Sequence, residues 1–422
     1  MVSVVFVVQI DGKFHHKGDI IGINLSGGQG SMPKVDKQQD TLCAQTRKVI
    51  AGNEPIALPI YQTSTFRFDS VEALERYLHG DDTQYLYTRY ENPTLRAVQE
   101  KLAEIEKGER CYVFSSGMAA ISTSLLAVLK SGDEVLAADS LYGRTGLFIE
   151  NWLPKFGIKT RFIPLAEFPD IDRYFSPRTR LVYIESPTNP TLQVIDIKAA
   201  SEAAHRHDAM LYIDNTFATP INQNPIDLGA DVVLHSATKY LAGHSDVIGG
   251  VSIFPASLAA PMKEAIRTFG GTMDPFACFL LDRGLKTLPI RVRRQNETAA
   301  FLAARCHEHP KVSRVRYPGL KSHPRHDEAA KQMRGFGAMF SFDLESYEAA
   351  KMFVNSLQLI HHAASLGGVE TLVSLPVLTS HYGQPDKNLE AAGISRGTVR
   401  ISVGLEAPED LWQDLESALN RI

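Results

Sequence analysis

Between about residue 110 and residue 251, short runs of apolar and β-branched residues alternate with stretches whose apolar positions recur every three or four residues. Runs at 110–115, 134–138, 159–164, 181–185, 210–214, 232–235 and 249–253 read as strands. The stretches 118–130 and 197–207 read as helices, the second behind a capping Asp196. Strands separated by helices predict an α/β fold, a mostly parallel seven-stranded sheet with helices on both faces. Such sheets bind ligands at the carboxyl ends of their strands. Upstream, Asn92-Pro93 supplies an N-cap and a proline at the first helical position, and Leu95, Val98, Leu102 and Ile105 share one helical face. After about Leu288 the pattern changes to long amphipathic helices around strands at 339–343 and 398–403, which predicts a C-terminal α+β domain over 288–422.

Composition narrows the class. A chain of 422 residues has room for roughly two to three domains of about 150 residues. With 44% hydrophobic residues it buries a sizeable core, which excludes wholesale disorder. The charge is balanced, 44 Lys and Arg against 48 Asp and Glu, so a nucleic acid or an anionic membrane would need a local basic patch. The one candidate, Arg291 with Arg293 and Arg294, reads as a solvated helix face, so neither partner is expected. The apolar run at 2–10 is too short to span a bilayer and has no basic leader, which reads as neither anchor nor signal. Four scattered cysteines without a CxxC pair point to a reduced, cytoplasmic setting. The histidine groups at 205 and 207, 307 and 309, and 361 and 362 lack the spacing of a helical metal site, and no metal is expected.

Residues 1–36 read as an atypical extension, or as sequence upstream of a start at Met32. Within them Leu25-Ser26-Gly27-Gly28-Gln29 matches the signature of ATP-binding-cassette ATPases, but no GxxxxGK[ST] loop accompanies it. A nicotinamide-dependent dehydrogenase would need GxGxxG after the first strand, and that turn is absent.

Candidate chemistry gathers just past the strand ends. The run at 210–214 ends in Asp214-Asn215-Thr216, which sets a carboxylate at the sheet mouth. The run at 232–235 leads into Ser236-Ala237-Thr238-Lys239, an amine between hydroxyl residues and a Gly-His-Ser-Asp turn. Ser115-Ser116-Gly117-Met118 joins a strand to a helix, whose free N–H groups and positive end favour an anion. Phosphate cradle, carboxylate and amine are the three functions pyridoxal 5'-phosphate needs: an anchor, a partner for the pyridinium nitrogen and a lysine to bond with.

The same motifs resemble those of the pyridoxal-phosphate-dependent trans-sulfuration enzymes, the cystathionine γ-synthase, cystathionine γ-lyase and methionine γ-lyase family. The resemblance runs from about Thr41 to the C-terminus. It rests on Pro59-Ile60-Tyr61-Gln62-Thr63-Ser64-Thr65-Phe66, Tyr87-Thr88-Arg89-Tyr90-Glu91-Asn92-Pro93-Thr94, Glu185-Ser186-Pro187-Thr188-Asn189-Pro190, Ser365-Leu366-Gly367-Gly368 and Arg400-Ile401-Ser402-Val403-Gly404-Leu405-Glu406, besides the segments above. It implies the type I, aspartate aminotransferase-like fold, with residues 37–91 as an arm and 92–287 as the large cofactor-binding domain.

Carried over by position, the resemblance implies that Lys239 bonds covalently to the cofactor and Asp214 pairs with its ring nitrogen. The Gly117 and Met118 N–H groups, with the Ser236 and Thr238 hydroxyls, would hold the phosphate. Tyr142 would stack on the ring and act with Lys239 in catalysis, and Asn189 would sit by the phenolic oxygen. Tyr87 and Arg89 would reach the phosphate in a neighbouring subunit, which implies a dimer with shared sites, paired into a tetramer. Arg400 would grip the substrate α-carboxylate, helped by Ser365 and Asn189.

The branch is less clear from sequence. Cystathionine γ-lyases tend to have an acid where this chain has Leu86 and an arginine where it has Leu147, and methionine γ-lyases a cysteine where it has Arg144. Arg144 could read the distal carboxylate of cystathionine or of a succinyl ester. The expected reaction is γ-replacement or γ-elimination on homoserine esters or cystathionine, ahead of methionine cleavage or sulfhydrylation of an O-acyl homoserine. A non-catalytic pyridoxal-phosphate-binding protein on the same scaffold is the alternative of another class.

Overall fold

Seven strands form the large sheet: β1 Arg110–Phe114, β2 Glu134–Ala138, β3 Lys159–Ile163, β4 Thr179–Glu185, β5 Met210–Asp214, β6 Val232–Ser236 and β7 Gly250–Phe254. This is a computed structural model, and it describes residues 37–47, 55–81 and 83–422. The spatial order is β1-β7-β6-β5-β4-β2-β3. The pairs β6 with β5, β5 with β4, β4 with β2 and β2 with β3 are parallel, and β7 runs antiparallel to both of its neighbours. The seven predicted runs fall on these strands with ends shifted by no more than about two residues, the ordinary fraying of element limits.

The central strands read as continuous apolar runs because both faces are covered. Helix Gly117–Val128 packs on β6 and β7, and helix Ile197–Arg206 on β4 and β5. The second helix begins where expected, with Asp196 accepting the Ala199 N–H at 2.9 Å. Helix Pro93–Ile105 starts with the Asn92 side chain accepting the Thr94 N–H at 2.9 Å and buries the predicted face. Ile213, fully buried one residue before Asp214, ties the core to the site. Its truncation to Ala would cost about 2–5 kcal/mol.

The C-terminal half carries a second sheet of five strands, β8 Arg314–Arg316, β9 Met339–Asp343, β10 His361–His362, β11 Leu372–Ser374 and β12 Thr398–Ser402, ordered β10-β11-β12-β9-β8. Only β9 and β12 were legible beforehand, since two- and three-residue strands have no periodicity to read. Helix Leu288–Glu308 packs against β8 and β9. One contiguous hydrophobic core runs through both sheets.

The basic segment on this long helix corrects an expectation. Arg291 is buried, with Nε donating to Thr287 Oγ1 at 3.0 Å and a terminal nitrogen donating to the Gly284 carbonyl at 2.8 Å. Arg293 and Arg294 are exposed as a solvated face requires, paired with Asp40 and Glu297. The helix needed a cation against the 284–287 turn, which sequence periodicity does not report. All four cysteines are buried and free. Residues 1–36, with the atypical extension and its glycine-rich motif, lie outside the described residues.

Candidate active site

Strands β1, β4, β5 and β6 all end at one cavity of about 650 Å³, which Lys239, Ser365 and Arg400 also line. Parallel strands alternate with helices, so each strand delivers its last residue and the following turn to the same edge. Glu185 closes β4, Asp214 closes β5 and Ser236 closes β6.

The anion cradle forms where β1 passes into helix Gly117–Val128. Ser116 caps that helix by accepting the Ala119 N–H at 3.1 Å, and Ala120 N–H bonds the Ser116 carbonyl at 3.1 Å. The Gly117 and Met118 N–H groups are left for an incoming anion at the positive helix end. A Cβ on Gly117 would meet Ser236 Cβ at 3.1 Å and Ser236 Oγ at 3.2 Å, so any larger residue would crowd Ser236 where the helix end approaches β6. Ser236 is fixed through its own N–H, which donates to Thr216 Oγ1 at 2.8 Å. Thr238 Oγ1 accepts the Gly249 N–H at 3.0 Å and donates to the Gly249 carbonyl at 3.3 Å, so this hydroxyl is braced against the next turn.

Asp214 lies 8% exposed, with one oxygen accepting the Thr216 N–H at 2.9 Å. Burial raises its pKa above the usual carboxylate range, opposed by the Thr216 hydrogen bonds and by the nearby His235. His235 is itself buried and meets Glu106 at 2.5 Å, and Glu106 accepts further bonds from Asn215 at 3.1 Å and Asn224 at 3.2 Å. That network holds the backbone on either side of Asp214. An anionic Asp214 in this setting calls for a cationic partner, such as a protonated ring nitrogen.

Lys239 Nζ donates to Ser365 Oγ at 2.7 Å. Burial, then the charge of Arg400, pulls its pKa down from 10.5 to about 8, so a sizeable fraction of the amine is neutral and nucleophilic near neutral pH. Ser365 holds a φ of 96°, a left-handed conformation that costs a non-glycine residue about 1–3 kcal/mol and is kept by the surrounding contacts. Arg400, mid-strand in β12, donates to Asn189 Oδ1 at 2.9 Å and to the Ser365 carbonyl at 3.0 Å. Burial draws it down to about 10, which leaves it cationic at neutral pH.

The cavity therefore gathers Gly117, Met118, Tyr142, Asn189, Asp214, Ser236, Thr238, Lys239, Ser365 and Arg400. Three expected residues stand elsewhere. Tyr87 and Arg89 are exposed on the arm, Tyr87 edge to face with Tyr90 and the Arg89 guanidinium against both rings, and neither lines this chain's own cavity. Arg144 is exposed on helix Gly143–Asn151 and is not among the residues that line the cavity. Tyr142 is the N-cap of that helix, outside its regular turns, and Arg144 is its second residue, so no single helical step relates the two side chains.

Sequence reading passed over Glu185, Thr216, Ile248 and the Leu378–Ser380 turn, all of which line the cavity. Glu185 had the same signal as Asp214, an acid closing a buried strand. The turn arrives by tertiary packing from beyond β11, and no local pattern announces it.

These residues fit pyridoxal phosphate: an anion cradle that a single Cβ would crowd, a buried carboxylate with one oxygen left to the cavity, and a lysine amine beside them. Gly117, Met118, Ser236 and Thr238 would hold the phosphate, Asp214 the ring nitrogen and Lys239 the aldehyde carbon. The site is that of a pyridoxal-phosphate-dependent enzyme of the type I fold. Residues 40–420 match the Cys/Met metabolism PLP-dependent enzyme family, and the chain belongs to that family. It is 43% identical over 383 residues to an L-methionine gamma-lyase of Fusobacterium nucleatum subsp. polymorphum, covering 90% of this chain and 96% of the relative. A cystathionine beta-lyase of Lactococcus lactis subsp. cremoris is 41% identical over 367 residues, covering 87% of this chain and 94% of that one. The crystal structure of cystathionine gamma-lyase from Lactobacillus plantarum complexed with L-serine superimposes with a TM-score of 0.84 at 36% identity, covering 91% of this chain and 99% of that one. Among the described residues, no helix is long and apolar enough to cross a membrane.

Proposed function

We propose that this enzyme breaks a carbon–sulfur bond at Cγ of a sulfur-containing L-amino acid, by γ-elimination to a 2-oxo acid and ammonia. γ-Elimination releases the Cγ substituent as a thiol and consumes one water, which hydrolyses the imino acid to the 2-oxo acid and ammonia; in γ-replacement a second thiol adds at Cγ instead and the amino acid keeps its nitrogen. The observation that carries the reading is the Lys239 amine, held at 2.7 Å by Ser365 beside Arg400. Arg400 takes the substrate α-carboxylate and so fixes Cα near Lys239 Nζ. Bound pyridoxal phosphate supplies an electron sink that acidifies the α-proton. Lys239 Nζ accepts that proton and, held in place, returns protons to the neighbouring carbons. Ser365 keeps the amine on this face.

Cystathionine and methionine are the substrates the relatives' names suggest. The cavity lining includes Ile248, Ala364, Leu366 and Leu378 and, among the described residues, has no cation besides Lys239 and Arg400, which favours a substrate with an uncharged distal end, a thioether such as methionine. A panel of methionine, cystathionine and O-acyl homoserines, each with and without cysteine, tests this by 2-oxo acid and product analysis. Release of 2-oxobutyrate from methionine supports the reading; turnover of O-acyl homoserines alone, and only with added thiol, rejects it.

The arm, residues 37–91, completes the phosphate cradle of a second copy through Tyr87 and Arg89, and 92–287 and 288–422 are the large and C-terminal domains. Exposed Ile56, Val71 and Leu78 on the arm support burial against another chain. Mixing Arg89→Ala subunits with Lys239→Ala subunits should then restore about a quarter of parental activity, since half the dimers each regain one complete site. A cytoplasmic location follows from the cysteine usage and the cofactor.

A further inference from the structure

Glu185 and Asp214 are the one pair of acids that closes two adjacent strands of the large sheet: they are register partners at the ends of β4 and β5, and both line the cavity. Glu185 is 5% exposed, and its Oε2 accepts the backbone N–H of Tyr142 at 2.8 Å. The Asn189 backbone N–H adds a second contact to the same carboxyl. Through these two bonds one side chain ties together the segments that bring Tyr142 and Asn189 to the cavity wall.

We propose that Glu185 is a positioning residue that works as a neutral carboxylic acid: Asp214 keeps the negative charge, Glu185 keeps a proton, and its carboxyl clasps the Tyr142 and Asn189 segments. Two carboxylates on neighbouring buried strand ends do not both ionise without a large repulsion. The charge belongs on Asp214, which has the Thr216 N–H and His235 on β6 beside it. On Glu185's own strand the facing group is Tyr183, which burial keeps as a neutral phenol. Helix Gly143–Asn151 brings no cation, because Arg144 faces solvent. Burial, followed by the Asp214 charge, pushes the Glu185 carboxyl well above the carboxylate range, against the smaller lowering effect of the Tyr142 and Asn189 N–H bonds. A neutral acid here also leaves Asp214 as the sole anion for the ring nitrogen, so the second carboxyl does not over-stabilise a ring proton.

This deepens the assignment of Asp214 made above, and its test is separable from that assignment. Infrared difference spectroscopy of the holoenzyme at neutral pH, parent against Glu185→Gln, should show the carbonyl stretch of a neutral carboxylic acid in the parent only. Loss of a carboxylate band instead would overturn the proposal, whatever Asp214 does. The pH titration of the bound cofactor's visible band should move by less than about 0.3 unit in Glu185→Gln; a shift of about one unit or more means that a charge was removed. For the clasp, Glu185→Ala should raise the cofactor dissociation constant by about tenfold, and Glu185→Gln should recover most of that loss because its carboxamide oxygen still accepts the Tyr142 N–H. Equal cofactor affinity in Glu185→Ala and parent removes the positioning role. An Asp214→Asn variant that binds cofactor like the parent would instead sink the ring-nitrogen assignment and leave the Glu185 band to be read on its own.

Discussion

The two sheets reach the same cavity by different means. The large sheet is covered on both faces, so its polar chemistry surfaces only where strands end, as at Glu185, Asp214 and Ser236. The small sheet brings Arg400 from the middle of β12 and Ser365 from a strained connection ahead of β11. The large, mostly parallel sheet thus serves as a fixed edge on which polar residues are placed by register. The small, mostly antiparallel sheet offers a face, from which the Arg400 guanidinium reaches Asn189, while Ser365 in the connection ahead of β11 holds Lys239.

Variants can break this division. The largest loss is expected from Lys239→Ala, which removes the covalent and proton-carrying group: kcat should fall at least about 10³-fold with an unchanged far-ultraviolet circular dichroism spectrum. Arg400→Lys attacks the small sheet's share. It keeps the charge but loses the second guanidinium bond, for about 1.5–3 kcal/mol, so KM should rise about 10- to 100-fold with a smaller change in cofactor affinity. Gly117→Ala attacks the large sheet's share, because its Cβ would stand 3.1 Å from Ser236 Cβ. The cofactor dissociation constant should rise about tenfold in equilibrium dialysis while KM changes less, the mirror image of Arg400→Lys.

The coupling between the sheets is measurable as a pH effect. Lys239 is lowered to about 8 by burial first and by Arg400 second. In apoprotein its labelling by a small amine-reactive reagent should therefore rise with pH through a midpoint near 8, as the neutral amine appears. Replacing the cation, as in Arg400→Met, should move that midpoint upward by a few tenths of a unit, since the charge opposing protonation is gone. A downward move would show that Arg400 does not act on Lys239 through its charge. The smallest effect is expected at Arg144: Arg144→Ala should leave the ratio of kcat/KM for O-succinylhomoserine over O-acetylhomoserine within about twofold of the parent, as suits an exposed surface residue. A larger change would place its side chain at the site of another subunit.

The legible part of the site follows the same division. Asp214, Ser236, Lys239 and the Gly117 turn lie beside strands long enough to show an apolar run, so the motif and the element that displays it are read together. Arg400 and Ser365 were reached only through a family resemblance: Arg400 sits mid-strand in β12, where no strand end marks it, and Ser365 lies between β10 and β11, which span two and three residues. Arg144 stands two residues past Tyr142, yet of the two only Tyr142 lines the cavity: nearness in sequence does not fix which side chains a cavity gathers.

The sequence by itself determined the alternation of strands and helices, hence the sheet edge, and which residue types stand just past its strand ends, because backbone periodicity and hydrophobic burial are local properties. Tertiary structure decided which acid sits beside which: only the pairing of β4 with β5 sets Glu185 next to Asp214, and only the packing of the small sheet sets Arg400 and Ser365 against Lys239. Those neighbours are tens to hundreds of residues apart in the chain. Burial and mutual charge, which govern the protonation of such groups, exist only once the contacts have formed.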